Sequence, residues 1–410
     1  MKIAIWHNLP SGGGKRALYD QVTMLLKRGH HVEIWHPSCA DTNYLDMSGR
    51  VKEHSLPCKI YNFSSHNVVG KFKRLVGHYF NLNVLKKNAI LSAQEINKAH
   101  FDVLLSHPCS FLGSPFIGRY TDIPSVLYLQ EPNRLLYEAN DKNPLALPDL
   151  PLSMWQIPKY VSLKSEDHLK HAFYRLKARE EAKNASVFDS ILVNSYYSRE
   201  SVLRSYGLNS QVCYLGVDSE RFKNSTRVKK RNYVLTVGAM VREKNYSFII
   251  NALSLIRKER PQFVIVSNVA NEKYEKYIRA LASEKQVDLK IYLNISDAQL
   301  IELYSGARLV AYAPRLEPFG YVPLEANSCS VPVVAVAEGG VRETVIDGVN
   351  GLLVDHNQQA MADAIEMLLK SPKKAEVMGG EGRKLVEQIW SLEKATDRLE
   401  SKLGETVLRI

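Results

Sequence analysis

The stretch LVAYAPRLEPFGYVPLEANSCSVPVVAV, residues 309–336, carries a complete strand, loop, helix and strand pattern. Leu309–Ala313 and Val331–Val336 are continuous apolar runs of strand length, and Tyr321–Asn327 follows a Pro/Gly loop and has helical length. Strands that are apolar throughout and are separated by helices indicate a parallel sheet covered on both faces. This segment therefore predicts a doubly wound α/β fold.

The same alternation continues on both sides of this segment. The other predicted strands are Lys2–His7, His31–Trp35, Phe101–Ser106, Ser125–Leu129, Ile191–Val193, Tyr233–Val237, Phe263–Val266 and Lys290–Leu293. A charged, strand-poor stretch at 223–231 separates the two series. We expect two Rossmann-like domains, residues 1–215 and 216–387, which face each other across a cleft, with a final helix at 388–410 that joins the first domain.

Composition limits the class of protein. The chain has 410 residues, of which 45% are hydrophobic and 24% are charged, values typical of a globular protein with two cores. Its five cysteines are scattered without metal-ligand spacing, and its start shows no signal-peptide pattern. We therefore expect a reduced, cytoplasmic chain.

The positive charge is concentrated in the first half. Residues 1–215 hold 26 Lys and Arg against 18 Asp and Glu, whereas the remainder holds 28 against 25. Residues 54–94 contain six Lys or Arg and no carboxylate. Within them, 71–87 place aromatic and aliphatic residues at helical spacing, which favours a helix on an anionic membrane surface. An amphipathic helix packed on its own domain has the same periodicity and stays the alternative.

Two glutamates in the opening segment suggest a binding site. Glu317 lies in the Pro/Gly loop after a strand, where a carboxylate can accept hydrogen bonds from sugar hydroxyls. Glu325 lies one turn into the next helix and can hold a ribose diol. Between them the helix start, at Phe319, Gly320, Tyr321 and Val322, offers free backbone N–H groups suited to a diphosphate. A turn with two surface glutamates is the alternative interpretation.

The motif Glu317-Pro-Phe-Gly followed by Glu325-Ala resembles the paired-glutamate signature of the retaining family 4 glycosyltransferases, which have the GT-B fold. The resemblance covers most of the chain, because further motifs follow in the family's order. These are Ser11–Gly14, Val193–Ser195, Gly216–Asp218, Val237-Gly238 with Glu243-Lys244, and Glu338–Gly340 with Glu343, Asp347 and Asn350. It implies a retaining hexosyltransferase that requires no metal or other cofactor and uses a nucleotide diphosphate-sugar, a UDP- or GDP-sugar, with a lipid-linked or glycan acceptor.

The resemblance also implies roles for individual residues. Glu317 and Lys244 are expected to be catalytic, with Arg242 as a second cation beside the diphosphate. Gly12, Gly13, Gly14 and Gly238 are expected to let backbone approach the donor, and Gly339 and Gly340 the acceptor. Without a metal, cations and N–H donors must stabilise the departing diphosphate.

Two positions depart from the family pattern. Ala239 stands where relatives usually have arginine, which is why Arg242 is the proposed substitute, with a surface salt bridge as its alternative role. Gln130 stands where relatives often have histidine; it can bind a sugar hydroxyl but cannot carry a proton at neutral pH. These departures keep alive a second hypothesis, a nucleotide-sugar-binding protein with impaired catalysis.

Further candidates lie near these positions. Glu131 and His107 are expected near the acceptor, with a turn residue and a hydrogen-bonded loop histidine as the respective alternatives. Lys15 and Arg16 are expected on a solvated helix face, with phosphate contact as the alternative. A basic nucleic-acid binder is a third hypothesis, and no nucleic-acid partner is expected because no recognised module is present.

Overall fold

The computed structural model describes residues 1–61, 68–138, 153–225, 227–269 and 271–409, without the side chains of 68–75, 156, 158–167 and 169. The chain divides into two compact units. The N-terminal unit contains 1–194, 199–213 and 398–410, and the C-terminal unit contains 195–198 and 214–397. Each unit is built around its own parallel sheet.

The N-terminal unit has a seven-stranded sheet in the order β3-β2-β1-β4-β5-β6-β7. Its strands are β1 (Lys2–Asn8), β2 (His31–Pro37), β3 (Lys52–Leu56), β4 (Val103–Cys109), β5 (Ser125–Gln130), β6 (Ser190–Val193) and β7 (Gln211–Val212). Its helices are α1 (Gly13–Lys27), α2 (Val68–Lys98), α3 (Arg134–Tyr137), α4 (Ile157–Ala185) and most of α5 (Tyr196–Tyr206). All strand pairs are parallel, and the strand order reverses between β1 and β4.

The C-terminal unit repeats this plan with six strands in the order β10-β9-β8-β11-β12-β13. Its strands are β8 (Tyr233–Val237), β9 (Gln262–Ser267), β10 (Leu289–Leu293), β11 (Leu309–Tyr312), β12 (Val333–Val336) and β13 (Gly351–Val354). Its helices are α6 (Tyr246–Leu255), α7 (Glu272–Glu284), α8 (Asp297–Gly306), α9 (Tyr321–Ser328), α10 (Val341–Thr344), α11 (Gln358–Lys370), α12 (Pro372–Leu385) and the first part of α13 (Leu392–Val407). Here the strand order reverses between β8 and β11.

Two parallel α/β sheets therefore confirm the predicted fold class. The strands are apolar because both faces are covered: Ile3, Ile5, Val234 and Leu235 are fully buried. At the start of α8, Ser296 and Gln299 form a capping box.

The chain's last residues pack within the N-terminal unit. Glu400 of α13 contacts the Arg28 guanidinium, and its other oxygen lies 2.6 Å from Nε2 of His30. A π-helical turn at Val386–Trp390 separates α12 from α13, so the final helix begins at Leu392. This turn precedes the bridge between Ser391 and Val217, where a Cβ on Gly216 would lie 2.5 Å from the Ser391 carbonyl oxygen.

Candidate functional site

In the C-terminal unit, the predicted site residues gather where the strand order reverses. The loop after β8 and the loop after β11 are neighbours because these strands pair, with Leu309 opposite Val234. The backbone N–H of Arg315 donates to the carbonyl of Glu243 at 2.9 Å and ties the two loops together. Ligands of open parallel sheets bind at the carboxyl ends of strands beside such a reversal.

An ion pair joins the two loops at their centre. Lys244 Nζ lies 2.7 Å from Glu317 Oε2, and the two side chains are 24% and 18% exposed. Gly238 makes room for the lysine, since a Cβ there would lie 3.2 Å from Lys244 Cδ. The predicted carboxylate and the predicted cation therefore lie in direct contact and remain partly accessible.

Two tyrosines, Tyr312 and Tyr246, lie near Glu317 on the side of the protein interior. Burial, followed by the charge of Glu317, raises the pKa of the Tyr312 hydroxyl well above its usual value, and a hydrogen bond to Glu317 adds to the shift. Burial also raises the pKa of Tyr246, with Tyr274 and Glu317 as smaller causes. Both hydroxyls therefore stay protonated at neutral pH.

Glu325 is held deeper in the same unit. It is 5% exposed, and its Oε2 accepts a hydrogen bond of 2.8 Å from the hydroxyl of Tyr304, which is fully buried on α8. The ring of Phe222 packs edge-on against Tyr304, with 6.2 Å between the centroids. The contact fixes the direction of a carboxylate that a solvated surface position would leave mobile.

The start of α9 lies between the two glutamates. Gly320 is its N-cap, with a φ of 102° that favours glycine, and Tyr321 and Val322 form its first turn. Phe319 is buried against Tyr321, with ring centroids 5.3 Å apart. A helix start leaves backbone N–H groups available to an anion.

Gly339 and Gly340 belong to this centre. A Cβ on Gly339 would lie 2.2 Å from the Glu317 carbonyl oxygen, and one on Gly340 would lie 2.2 Å from that of Pro318. Gly340 N–H also donates to the Glu317 carbonyl at 2.7 Å. The two glycines therefore allow the β12 loop to pack directly on the backbone that presents Glu317.

Other motif residues of the C-terminal unit have structural roles. The Glu343 carboxylate accepts hydrogen bonds from the backbone N–H groups of Tyr196 at 2.9 Å and Tyr197 at 3.1 Å. It also accepts one from the hydroxyl of Tyr214 at 2.8 Å. Asn350 donates to Asn327 Oδ1 at 2.7 Å within the core. Arg242 is exposed in the same turn as Lys244, and its charge acts on Tyr274 of α7.

In the N-terminal unit, the remaining predicted residues lie at the strand ends beside the other reversal. Gly12 caps α1 with a φ of 143°, and Gly13 begins the helix. A Cβ on Gly14 would lie 3.1 Å from Oε1 of Gln130, the last residue of β5, which has a positive φ of 63°. Glu131 accepts a bond of 2.7 Å from Arg134 Nε.

One expectation from the sequence, for Lys15, and one alternative interpretation, for His107, are wrong here. Lys15 is 1% exposed instead of lying on a solvated face, and its Nζ is 3.4 Å from His7 Nε2. His107 is not a hydrogen-bonded loop residue. It lies inside β4, is fully buried, and neither ring nitrogen has a hydrogen-bond partner in the described structure. Burial, and then the charge of Lys15, lower the pKa of His107 to about 3.

The helix expected at 71–87 lies inside α2, but the side chains of 71–75 are outside the described residues. Tyr79 packs on the core, His78 stacks on Phe173 with 5.0 Å between centroids, and Phe80 is 56% exposed. Among the described residues, no helix has the length and apolar character needed to cross a membrane, and no group of three His, Cys, Asp or Glu is arranged to hold a metal ion.

Sequence reasoning missed Tyr304, Tyr312 and His7. Tyr304 follows Leu300 at helical spacing, which is typical of a core residue, and Tyr312 and His7 lie in strands. Nothing local indicates which of these polar atoms meets a site residue. A polar side chain at the carboxyl end of a buried strand was the one available signal.

The chain is similar in sequence to known glycosyltransferases. The family model described as glycosyl transferases group 1 matches residues 217–385. The alpha-1,3/1,6-mannosyltransferase ALG2 of Homo sapiens is 27% identical over 59% of this chain and 64% of that protein. The GDP-mannose-dependent alpha-(1-6)-phosphatidylinositol monomannoside mannosyltransferase of Mycolicibacterium smegmatis is 28% identical over 53% of this chain and 62% of that protein. The chain thus spans slightly less than two thirds of either relative.

Solved structures agree on the fold. Sucrose-phosphate synthase from Thermosynechococcus elongatus superposes with a TM-score of 0.75 over 100% of both chains at 16% sequence identity. At this identity the likeness concerns the architecture, two parallel-sheet α/β domains of the GT-B kind.

Proposed function

We propose that this chain is a GT4-type glycosyltransferase and that it transfers a hexosyl group from a nucleotide diphosphate-sugar to an acceptor with retention of configuration. The observation that carries the proposal is the Lys244–Glu317 pair at the strand-order reversal of the C-terminal unit. Because the relatives are named mannosyltransferases, GDP-mannose is the first donor to test. A lipid-linked or glycan acceptor fits the same relatives.

The roles follow from charge. When the bond between the sugar and the diphosphate breaks, the bonding electrons leave with the diphosphate and positive charge develops on the sugar. The Lys244 ammonium and the N–H groups at the start of α9 stabilise the leaving group, a task that needs fixed donors when no metal takes part. Glu317 holds Lys244 in position and accepts hydrogen bonds from sugar hydroxyls. Glu325 accepts hydrogen bonds from the two ribose hydroxyls.

Retention requires the acceptor to attack from the side that the diphosphate leaves. The proton of the acceptor hydroxyl then passes to the departing phosphate oxygen, so no histidine is needed where Gln130 stands. The sequence departure at this position is therefore compatible with catalysis.

The test is a panel of GDP-mannose, UDP-glucose and UDP-N-acetylglucosamine, with binding measured by thermal shift and slow hydrolysis by release of the nucleoside diphosphate. We expect one donor to bind and to be hydrolysed equally with EDTA and with added magnesium, and NMR to find the product with the donor's anomeric configuration. Binding without any hydrolysis would favour the catalytically impaired alternative. No response to any donor would contradict both.

We also propose that residues 71–87 contact an anionic membrane surface, where the acceptor is met. The acid-free stretch at 54–94 and the exposed ring of Phe80 support this. Sedimentation with vesicles of anionic phospholipid should recover the wild-type chain, and Phe80→Ser should reduce the recovered fraction by about twofold to tenfold. Equal recovery with neutral and anionic vesicles would contradict the proposal.

A further inference from the structure

The N-terminal unit contains a buried cation, Lys15, with no anionic partner among the residues that the structure describes. Lys15 is 1% exposed in the first turn of α1. Within the described part of the chain its ammonium contacts His7, at 3.4 Å between Nζ and Nε2, and forms no ion pair with a carboxylate. Buried ammonium groups are normally paired, because removal from water is costly without a counter-charge.

The carboxylates nearest to Lys15 have other partners. Burial lowers the pKa of Lys15, and the charges of Glu53, Asp41 and Asp46 partly restore it. Glu53 Oε2 faces His36 Nε2 at 3.5 Å, Asp41 accepts the Ser11 hydroxyl, and Asp46 accepts that of Ser48 at 2.7 Å. These acids act on Lys15 from a distance and do not satisfy its N–H groups.

The ring of His7 has two donors against it and can accept from only one of them. Burial, followed by the charge of Lys15, lowers the pKa of His7 well below its usual value, so its ring is neutral at pH 7. The backbone N–H of Leu9 lies 3.4 Å from Nδ1, and the Lys15 ammonium lies 3.4 Å from Nε2. A neutral imidazole has a single acceptor nitrogen, so His7 cannot satisfy both donors.

Two more unsatisfied groups lie at the same edge of the sheet. Both ring nitrogens of the fully buried His107 and the amide nitrogen of Gln130 lack a hydrogen-bond partner among the described residues. His107 lies beside His7, because β1 and β4 pair through Trp6 and Ser106. Gln130 lies against Gly14, next to Lys15. Buried polar groups without partners are rare, so each requires an explanation.

The helix start adds to this excess of donors. The N-terminal end of α1 carries a partial positive charge and unbonded N–H groups, and it follows directly from β1 at the strand-order reversal. A group with several acceptor oxygens and negative charge would satisfy the ammonium, the His7 and His107 N–H groups and the Gln130 amide together. A neutral sugar hydroxyl would leave the charge uncompensated.

We propose that Lys15, His7, His107 and Gln130, at the start of α1, form an anion subsite that binds a phosphate-type oxyanion of the acceptor substrate. The assignment to the acceptor rests on the proposed function, in which the donor diphosphate is held by the C-terminal unit. The subsite itself requires only an oxyanion.

The experiment uses the full chain and inorganic phosphate, with the melting temperature followed at constant ionic strength against chloride. We expect Lys15→Met to weaken phosphate binding at least about tenfold, since a charge-assisted hydrogen bond is lost. The matched control is Lys27→Met, an exposed lysine at the other end of α1, which should bind phosphate as the wild type does. Equal phosphate responses of wild type and Lys15→Met would overturn the subsite.

A purely structural role of Lys15 and the proposed anion subsite predict opposite effects of Lys15→Met on the melting temperature. Without phosphate, Lys15→Met should melt at or above the wild-type temperature, because a buried charge without a counter-ion is removed. A lower melting temperature together with an unchanged phosphate response would contradict the proposal. Should Lys15→Met fail to fold, a second variant is Gln130→Met, at a half-buried position at the end of β5. It should weaken phosphate binding several-fold.

Thermal-shift measurements with GDP and UDP distinguish a failure of the anion subsite from a failure of the proposed function. Lys15→Met should keep the response of the wild type to them, and Lys244→Met should lose it while keeping a phosphate response that depends on Lys15. If no variant responds to GDP or UDP, the proposed function fails and the phosphate data still decide the subsite.

Discussion

The two sheets reverse their strand order at equivalent places, and each reversal has a lysine beside it, but the two lysines have opposite surroundings. In the C-terminal unit Lys244 is paired with Glu317 and partly exposed. In the N-terminal unit Lys15 is buried beside neutral histidines without an ion pair in the described structure. The same topology thus provides one cation that is already neutralised and one that still requires an anion.

This difference matters for chemistry. An ammonium paired with a carboxylate can turn to the leaving group as negative charge develops there. The carboxylate then accepts hydrogen bonds from sugar hydroxyls instead. A cation without a counter-ion favours a ligand that is anionic throughout. Under the proposed function, the reacting phosphate therefore binds in the C-terminal unit and a permanently charged group binds in the N-terminal unit.

The largest effect is expected from breaking the pair in the C-terminal unit. Lys244→Met or Glu317→Gln should lower kcat by about 100-fold to 1,000-fold, because preorganised charge at the leaving group is lost. Both variants should still melt cooperatively. Steady-state rates with the preferred donor provide the measurement, and Lys258→Met, an exposed lysine of the same unit, is the control. Near-wild-type turnover of either variant would remove Lys244 and Glu317 from the mechanism.

A second change tests whether the backbone that presents Glu317 needs its glycines. Gly340→Ala places a Cβ 2.2 Å from the Pro318 carbonyl oxygen, so the loop must shift. We expect a loss of unfolding free energy of about 1–3 kcal/mol together with reduced activity. Gly380→Ala is the control, because a Cβ there has no neighbour within 4 Å. Denaturant unfolding that cannot distinguish the two variants would show that the close approach is unimportant.

Tyr304→Phe tests the support of Glu325 without touching the Lys244–Glu317 pair. Removing the hydroxyl that donates to Glu325 Oε2 at 2.8 Å leaves a buried carboxylate less well held. The dissociation constant for the nucleoside diphosphate should rise about tenfold, with little change in kcat at saturation. Calorimetric titration measures it. A change in kcat with unaltered affinity would instead place Tyr304 in the reaction centre.

The smallest effect concerns a thiol of the N-terminal unit. Cys39 and Cys58 have sulfur atoms 3.5 Å apart, and the hydrogen bond between them, as the largest cause, lowers the pKa of Cys39 to about 7. Alkylation of the native chain should therefore rise through about pH 7 as the thiolate forms, and it should disappear in Cys39→Ser. The other four cysteines are buried and should react only after unfolding. Mass spectrometry of the labelled peptides distinguishes them.

Particular elements show how far sequence reasoning reached. Apolar strands and the helices between them were predicted, because burial on both faces leaves a continuous hydrophobic run. The edge strand β3, Lys52–Leu56, was missed since it is only half-buried and carries charged residues. Strand β13 was missed because Gly351–Val354 is short and begins with glycine.

The sequence by itself determined the α/β class, the two series of strands and the motifs that contain Glu317, Glu325 and Lys244. These follow from local periodicity and from residue types at fixed spacings. Only the tertiary structure decided that Lys244 contacts Glu317, that Tyr304 holds Glu325, and that Lys15 is buried beside His7. The physical reason is that hydrogen-bond partners and burial depend on which strands pair and how each helix packs on the sheet, and no local pattern specifies either.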